Sequence, residues 1–165
     1  MLKANSLLLY LLLIGLGLLT LGNWSTTIPA PDVTFTTIEG KKIELSKLKG
    51  KPVIVTFWAT DCAGCIEEIP HLVEIYNQFH PQGLEIIAVA MYYDPPNHVV
   101  DITQAKQIPY DVALDLKAEH AFAFGQVELI PNTFLISPAG EIIMQHTGVL
   151  DISNMKQQIE QLITG

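Results

Sequence analysis

The stretch Val53–Pro70, VIVTFWATDCAGCIEEIP, leaves a chain of this kind few folds to choose from. Val53, Ile54, Val55, Phe57 and Trp58 form a nearly continuous run of β-branched and aromatic residues. Such a run suits a strand covered on both faces of a parallel or mixed sheet. It leads straight into a helical pattern. Cys62, Cys65, Ile66, Ile69, Leu72, Val73, Tyr76 and Phe79 recur at steps of three and four and make one apolar stripe. Thr60 or Asp61 is the expected cap of that helix. At about 100° per residue, Glu67 falls nearly opposite the stripe and Glu68 on its border, so one carboxylate meets solvent and its neighbour can lie beneath the cysteines.

Two cysteines on the first turn of a helix have direct chemical consequences. The thiolate is the nucleophile of thiol–disulfide exchange, and the free N–H groups and dipole of a helix start favour that anion at Cys62. Cys65 lies on the same face, placed to close a disulfide or to resolve a mixed one. Structural zinc uses similar spacing but wants four ligands, and there is no second cysteine pair. Haem attachment needs a histidine after the second cysteine, where Ile66 stands. The spacing alone leaves a redox pair, a structural disulfide or two inert thiols.

FWATDCAGCIEEIP resembles the motif of the thioredoxin-like TlpA/ResA group, which includes the CcmG/DsbE thiol reductases of cytochrome c maturation. Their pattern F-W-A-[ST]-W-C-x-x-C-x-x-E-x-P is met at Phe57, Trp58, Ala59, Thr60, Cys62, Cys65, Glu68 and Pro70. It is broken at Asp61, where the group usually carries tryptophan. The resemblance runs over roughly residues 31–165. It implies an α/β thioredoxin-like fold: a mixed central sheet flanked by helices, an N-terminal β-hairpin and a central βα insertion. It also implies thiol–disulfide exchange outside the cytoplasm, with no cofactor and no metal. The implied targets are disulfides of exported proteins, such as those of apocytochrome c. The implied electron donor is a membrane thiol reductant of the DsbD/CcdA type. Oxidation or isomerisation by the same pair is the alternative within this chemistry, and a non-catalytic copper- or thiol-binding module the alternative outside it.

The resemblance assigns roles residue by residue. Glu68 stands where the group has its acid–base glutamate, while Thr56 occupies the position of the buried aspartate of thioredoxins. A partly buried carboxylate has a raised pKa and can deprotonate Cys65 as it attacks a mixed disulfide; a solvated helix carboxylate is the other reading. Ile130-Pro131 resembles the cis-proline that faces the cysteines. Proline lacks an N–H and tolerates cis at small cost, so the adjacent backbone is free to pair with a substrate; an ordinary trans proline opening an edge strand fits the local sequence equally. Trp58, Ile130 and Pro131 are the implied substrate-binding residues.

Asp61 departs from the pattern and bears on acidity. A carboxylate ~6 Å from Cys62 disfavours the thiolate by roughly 1–3 kcal/mol at an effective dielectric of about 20 to 80. The helix terminus favours it by roughly 0.3–2 kcal/mol. The two nearly cancel, and Ala63-Gly64 supplies no histidine. A strong oxidant depends on a stabilised reduced form, so this pair leans towards a reductant. Asp61 as a plain helix cap is the competing reading.

The formal charge of −8, with nine basic residues that are all lysines, argues against nucleic acid and against an anionic membrane surface. The histidines at 71, 80, 98, 120 and 146 form no i, i+4 pair and read as surface residues. Sco-type copper chaperones use C-x-x-x-C, and a peroxidatic cysteine uses T-x-x-C, whereas Thr60 stands only two residues before Cys62.

Along the chain, Lys3 precedes an uncharged apolar run from Leu7 to Leu21. Residues 1–24 read as an uncleaved membrane anchor, with a cleaved signal peptide as the alternative. Lys3 puts the N-terminus in the cytoplasm and the domain in the periplasm, tethered to the inner membrane or, if cleaved, soluble there. Residues 25–32 read as a linker and residues 33–165 as the domain. A hairpin is expected from Val33–Thr37 and Lys42–Leu45. Further strands are expected at Leu84–Met91, Val112–Leu114, Thr133–Ile136 and Glu141–Thr147. Helices are expected over 98–107, over 118–124, and after an Asp151 cap.

Overall fold

The computed structural model describes residues 28–164, so the leader lies outside the described residues. Strand β4 (Val53–Trp58) is buried along its whole length. Parallel β5 (Glu85–Ala90) lies on one side, with Val53 opposite Glu85 and Trp58 opposite Ala90. Antiparallel β7 (Asn132–Ile136) lies on the other, with Val53 opposite Ile136 and Phe57 opposite Asn132. The sheet is completed by β6 (Asp111–Leu114) beside β5 and by β8 (Glu141–Thr147) beside β7. Its outermost strand on the β8 side is β1 (Ile28–Pro29), giving the order β1-β8-β7-β4-β5-β6. A residue period of two divides the central strand between two cores. Ile54 and Trp58 point to one face, and Val53, Val55 and Phe57 to the other.

The first face is covered by α1 (Ala63–Phe79) and by α4 (Ile152–Thr164). The second is closed by the hairpin of β2 (Thr34–Thr36) and β3 (Lys42–Glu44) together with α3 (Glu119–Ala123). Thr37 bridges to Ala113, and Ile38 N–H donates to Val112 O at 2.9 Å, so the hairpin also shields the β6 edge. The expected mixed sheet, N-terminal hairpin and central βα insertion are all present. Between β5 and β6 lies α2 (Pro96–Ala105).

Several boundaries move for identifiable reasons. The second helix begins at Pro96 rather than His98, because proline at the first helical position has its φ already set and needs no N–H partner. Ile28–Pro29 lie in the stretch read as a linker, yet they pair with Ile142 and Glu141. Asp115 is buried and accepts from His120 N–H at 3.0 Å and Ala121 N–H at 2.8 Å, which satisfies the start of the short α3. Asp151 caps the last helix as expected, accepting from Asn154 N–H at 3.1 Å.

The packing of α1 departs from its apolar pattern in a way that matters for chemistry. The fully covered positions are Cys65, Glu68, Ile69, Leu72, Ile75 and Phe79. At about 100° per residue, that face is turned by roughly 55° from the stripe centre read from sequence, towards Glu68 and Ile75. Glu67 stays exposed on the far side.

Candidate active site

Residues Ala59, Thr60 and Asp61 carry the chain from β4 to the helix, and the cap is Cys62 itself. Its backbone is extended, and its Sγ accepts from Cys65 N–H at 3.2 Å. Cys62 N–H donates to Ala59 O at 3.2 Å, and Cys62 O accepts from Ile66 N–H at 3.1 Å. The expected cap by Thr60 or Asp61 does not form. Thr60 gives both of its donors to Asp94, and Asp61 is exposed, with no hydrogen bond or ion pair among the described residues.

Cys62 and Cys65 are joined by a disulfide, their Cα atoms 5.2 Å apart. Cys62 is half-buried and Cys65 buried, so Cys62 is the sulfur that a partner meets first. Beneath them Glu68 is 2% exposed, and its Oε1 accepts from Leu150 N–H at 2.9 Å. Burial pushes the Glu68 carboxyl above its ordinary value of 4.5, and the Leu150 N–H, then His146 and His71, recover part of the shift. A solvated Glu68 is therefore ruled out. A cavity of about 10 Å³ lies among Thr56, Trp58, Cys65, Glu68 and Tyr110, the size of a single water site. Thr56 itself is hydrogen-bonded to Thr133 at 2.8 Å.

The Ile130–Pro131 peptide is cis. A Cβ built on Gly64, between the two cysteines, would stand 3.8 Å from Pro131 Cδ and 3.2 Å from Val149 Cγ2. The proline loop and Val149 thus close directly over the C-x-x-C turn. Pro131 O accepts from Gly148 N–H at 2.8 Å, which ties that loop to the end of β8. Ile130 is half-buried. Trp58, expected at the substrate surface, is 4% exposed, and its Nε1 has no hydrogen-bond partner among the described residues. It supports the turn from below and offers no face to a substrate. Exposed apolar side chains beside the turn come instead from Tyr93, which shares a cavity with Thr60 and Asp61, and from Val149, which packs at Gly64.

Three contributors escaped sequence reasoning: Asp94, Leu150 and Val149. Asp94 left one trace, an aspartate ahead of Pro95-Pro96. Leu150 acts through its backbone and Val149 through its place in a turn, so neither side chain announces a role.

The AhpC/TSA family matches residues 27–145 of this chain. A thiol-disulfide oxidoreductase ResA of Bacillus thuringiensis subsp. konkukian is 34% identical over 134 residues, which is 81% of this chain and 74% of that protein. A thioredoxin-family thiol:disulfide interchange protein of Chlorobium tepidum superposes with a TM-score of 0.76 at 26% identity, covering 83% of this chain and 97% of that one. StoA of Bacillus subtilis superposes with a TM-score of 0.67 at 26% identity, covering 78% and 98%.

Proposed function

The chain is a thiol–disulfide oxidoreductase of the AhpC/TSA family with a thioredoxin-like fold, and from that premise we propose that it reduces disulfides of exported proteins outside the cytoplasm. The observation that carries this reading is a half-buried sulfur on a helix cap, paired with a buried one above a buried carboxylate.

In the reduced enzyme, the Cys62 thiolate attacks one sulfur of the substrate disulfide. The bond between the substrate sulfurs breaks, the first substrate cysteine leaves as a thiolate, and a mixed disulfide with Cys62 remains. Glu68 then takes the proton of Cys65, and the Cys65 sulfur attacks Cys62. The second substrate thiolate departs, and the Cys62–Cys65 disulfide closes. Two electrons have passed from the dithiol to the substrate, and the protons end on its thiols. Burial raises the Glu68 pKa, which makes its carboxylate a stronger base towards the Cys65 proton. Beside Cys62, the cis-proline segment at Ile130-Pro131 is the place for an extended substrate backbone.

The direction of electron flow rests on Asp61. Exposed and without an ion-pair partner among the described residues, it opposes the helix terminus and keeps Cys62 from becoming strongly acidic. Residues 1–24 hold the domain at the periplasmic face of the inner membrane, where a thiol reductant of the DsbD/CcdA type recharges the pair. Apocytochrome c is the leading substrate. The peroxidase pattern T-x-x-C is absent at Thr60–Cys62.

The test is the reduction potential of a chain begun at residue 25, equilibrated in graded thiol–disulfide buffers at neutral pH. A value near or below about −270 mV, that of thioredoxin, supports the reductase. One near about −120 mV, that of DsbA, makes the chain an oxidant and sinks the argument from Asp61.

A further inference from the structure

Asp94 lies on the loop after β5 and is 5% exposed. Both of its carboxylate oxygens are spent on one residue, Thr60: Oδ2 accepts from the Thr60 N–H and Oδ1 from the Thr60 hydroxyl, each at 2.7 Å. The loop bearing Asp94 is itself anchored, since Asp94 N–H donates to Met91 O at 3.0 Å and Met91 N–H to Trp58 O at 2.9 Å. The chain is thus held on both sides of Ala59, whose carbonyl accepts the Cys62 N–H. A carboxylate loses much of its hydration on burial, and charge-assisted hydrogen bonds to a single neighbour are what offset that loss. This pair converges two residues ahead of the helix cap that carries Cys62.

We propose that Asp94 is a positioning residue for the exchange reaction. Its buried carboxylate clamps Thr60 and so fixes the turn that presents Cys62 on the helix N-terminus, aligned for attack and for closure by Cys65. The inference rests on the reading of Cys62 as the attacking sulfur. The same two bonds hold Thr60 against Asp94, and the cap is supplied by the Cys62 sulfur.

The clamp brings a second acidic group towards Cys62. Thr60, Asp61, Tyr93, Asp94, Pro95 and His98 line one surface cavity of about 230 Å³, and His98 is the group there that can carry positive charge. Beneath the cysteines lies Glu68, on which His71 of α1 and His146 of β8 act. Removing the negative charge of Asp94 from this cavity favours the Cys62 thiolate and lowers its alkylation midpoint.

The experiment uses the full-length chain in the reduced state and two readouts: the pH profile of Cys62 alkylation, and the rate at which Cys65 closes a preformed mixed disulfide on Cys62. Asp94→Asn keeps the clamp without the charge, since the amide oxygen accepts from Thr60 N–H and its NH₂ donates to the Thr60 hydroxyl. It is expected to close at a rate within twofold of the parent while the alkylation midpoint falls. Asp94→Ala breaks the clamp, and closure slows by about three- to tenfold. Closure in Asp94→Ala as fast as in the parent, or an Asp94→Asn variant as slow as the alanine one, would overturn the proposal. Should Asp94→Ala not fold, Thr60→Val removes half the clamp and keeps the charge: slower closure supports the proposal and parental closure overturns it. A Cys62→Ala control separates the two readings: exchange surviving in it overturns the choice of nucleophile and the proposal with it, whereas parental closure in Asp94→Ala overturns the clamp alone.

Discussion

Glu68→Gln tests the proposed proton acceptor. The amide has the same size, and its oxygen can still accept from Leu150 N–H, so packing is nearly conserved while basicity is lost. The step affected is the attack of Cys65. At a free thiol pKa near 8.5, only about 3% of Cys65 is thiolate at pH 7, and burial reduces this further. A base that removes the proton during attack recovers a factor of roughly thirty or more, about 2 kcal/mol of barrier. Closure of a Cys62 mixed disulfide, followed by stopped-flow release of a chromogenic thiol, should therefore slow at least thirtyfold at pH 7. The deficit should shrink about tenfold per pH unit above that. Stability should move the other way. Because burial raises the Glu68 pKa, its favourable contribution is complete only below the unfolded value of 4.5 and is lost as pH climbs through the folded one. Each unit of that shift is worth about 1.36 kcal/mol. Glu68→Gln should thus be the more stable protein in urea at pH 8 and match the parent at pH 4. Closure rates within threefold of the parent from pH 6 to pH 9 would refute the assignment of Glu68 as the base.

Other expectations follow from the same geometry. Cys65→Ser should hold its substrate as a mixed disulfide on Cys62, visible by mass spectrometry, whereas Cys62→Ser should lose exchange by more than about a hundredfold. Asp61→Asn should lower the Cys62 midpoint by roughly one to two units, read from thiolate ultraviolet absorbance, and make the pair more oxidising. An unchanged midpoint would show that Asp61 does not tune the thiol. Ile75→Ala, a truncation at a fully buried position on the turned face of α1, should cost about 2–5 kcal/mol in urea unfolding. A cost below about 1 kcal/mol would contradict the observed rotation of the helix.

The strand–helix unit at Val53–Phe79 is legible because period two and period 3.6 meet at a single boundary. The hairpins are legible because Gly40 and Gly140 mark tight turns at positive φ, 82° and 84°. The rotation of α1 is not. A polarity pattern assigns Glu68 to the border because it is charged, and only the backbone of Leu150, 82 residues away, makes full burial tolerable. The cap is a similar case. Thr60 and Asp61 are both good capping residues, yet neither bonds the helix: Thr60 is held by Asp94, 34 residues on, and the Cys62 sulfur takes the cap. The cis-proline was legible only through the family motif, since Ile130-Pro131 carries no local sign of its isomer. Trp58 shows the opposite error: a motif residue taken for a contact surface belongs to the layer below it. The edge strand β1 was hidden because Ile28 and Pro29 sit among residues of linker character and borrow their order from β8.

The hydrogen bond from Leu150 to Glu68 also has a consequence for biogenesis. The cysteines and their carboxylate are made early in the chain, but the N–H that settles the carboxylate arrives just ahead of the last helix. A polypeptide made N-terminus first exposes its two cysteines before the Glu68 carboxylate is seated. The half-made protein can be trapped as a mixed disulfide while the carboxylate proposed to speed its release is still unseated. Competence is thereby deferred until the C-terminal helix docks.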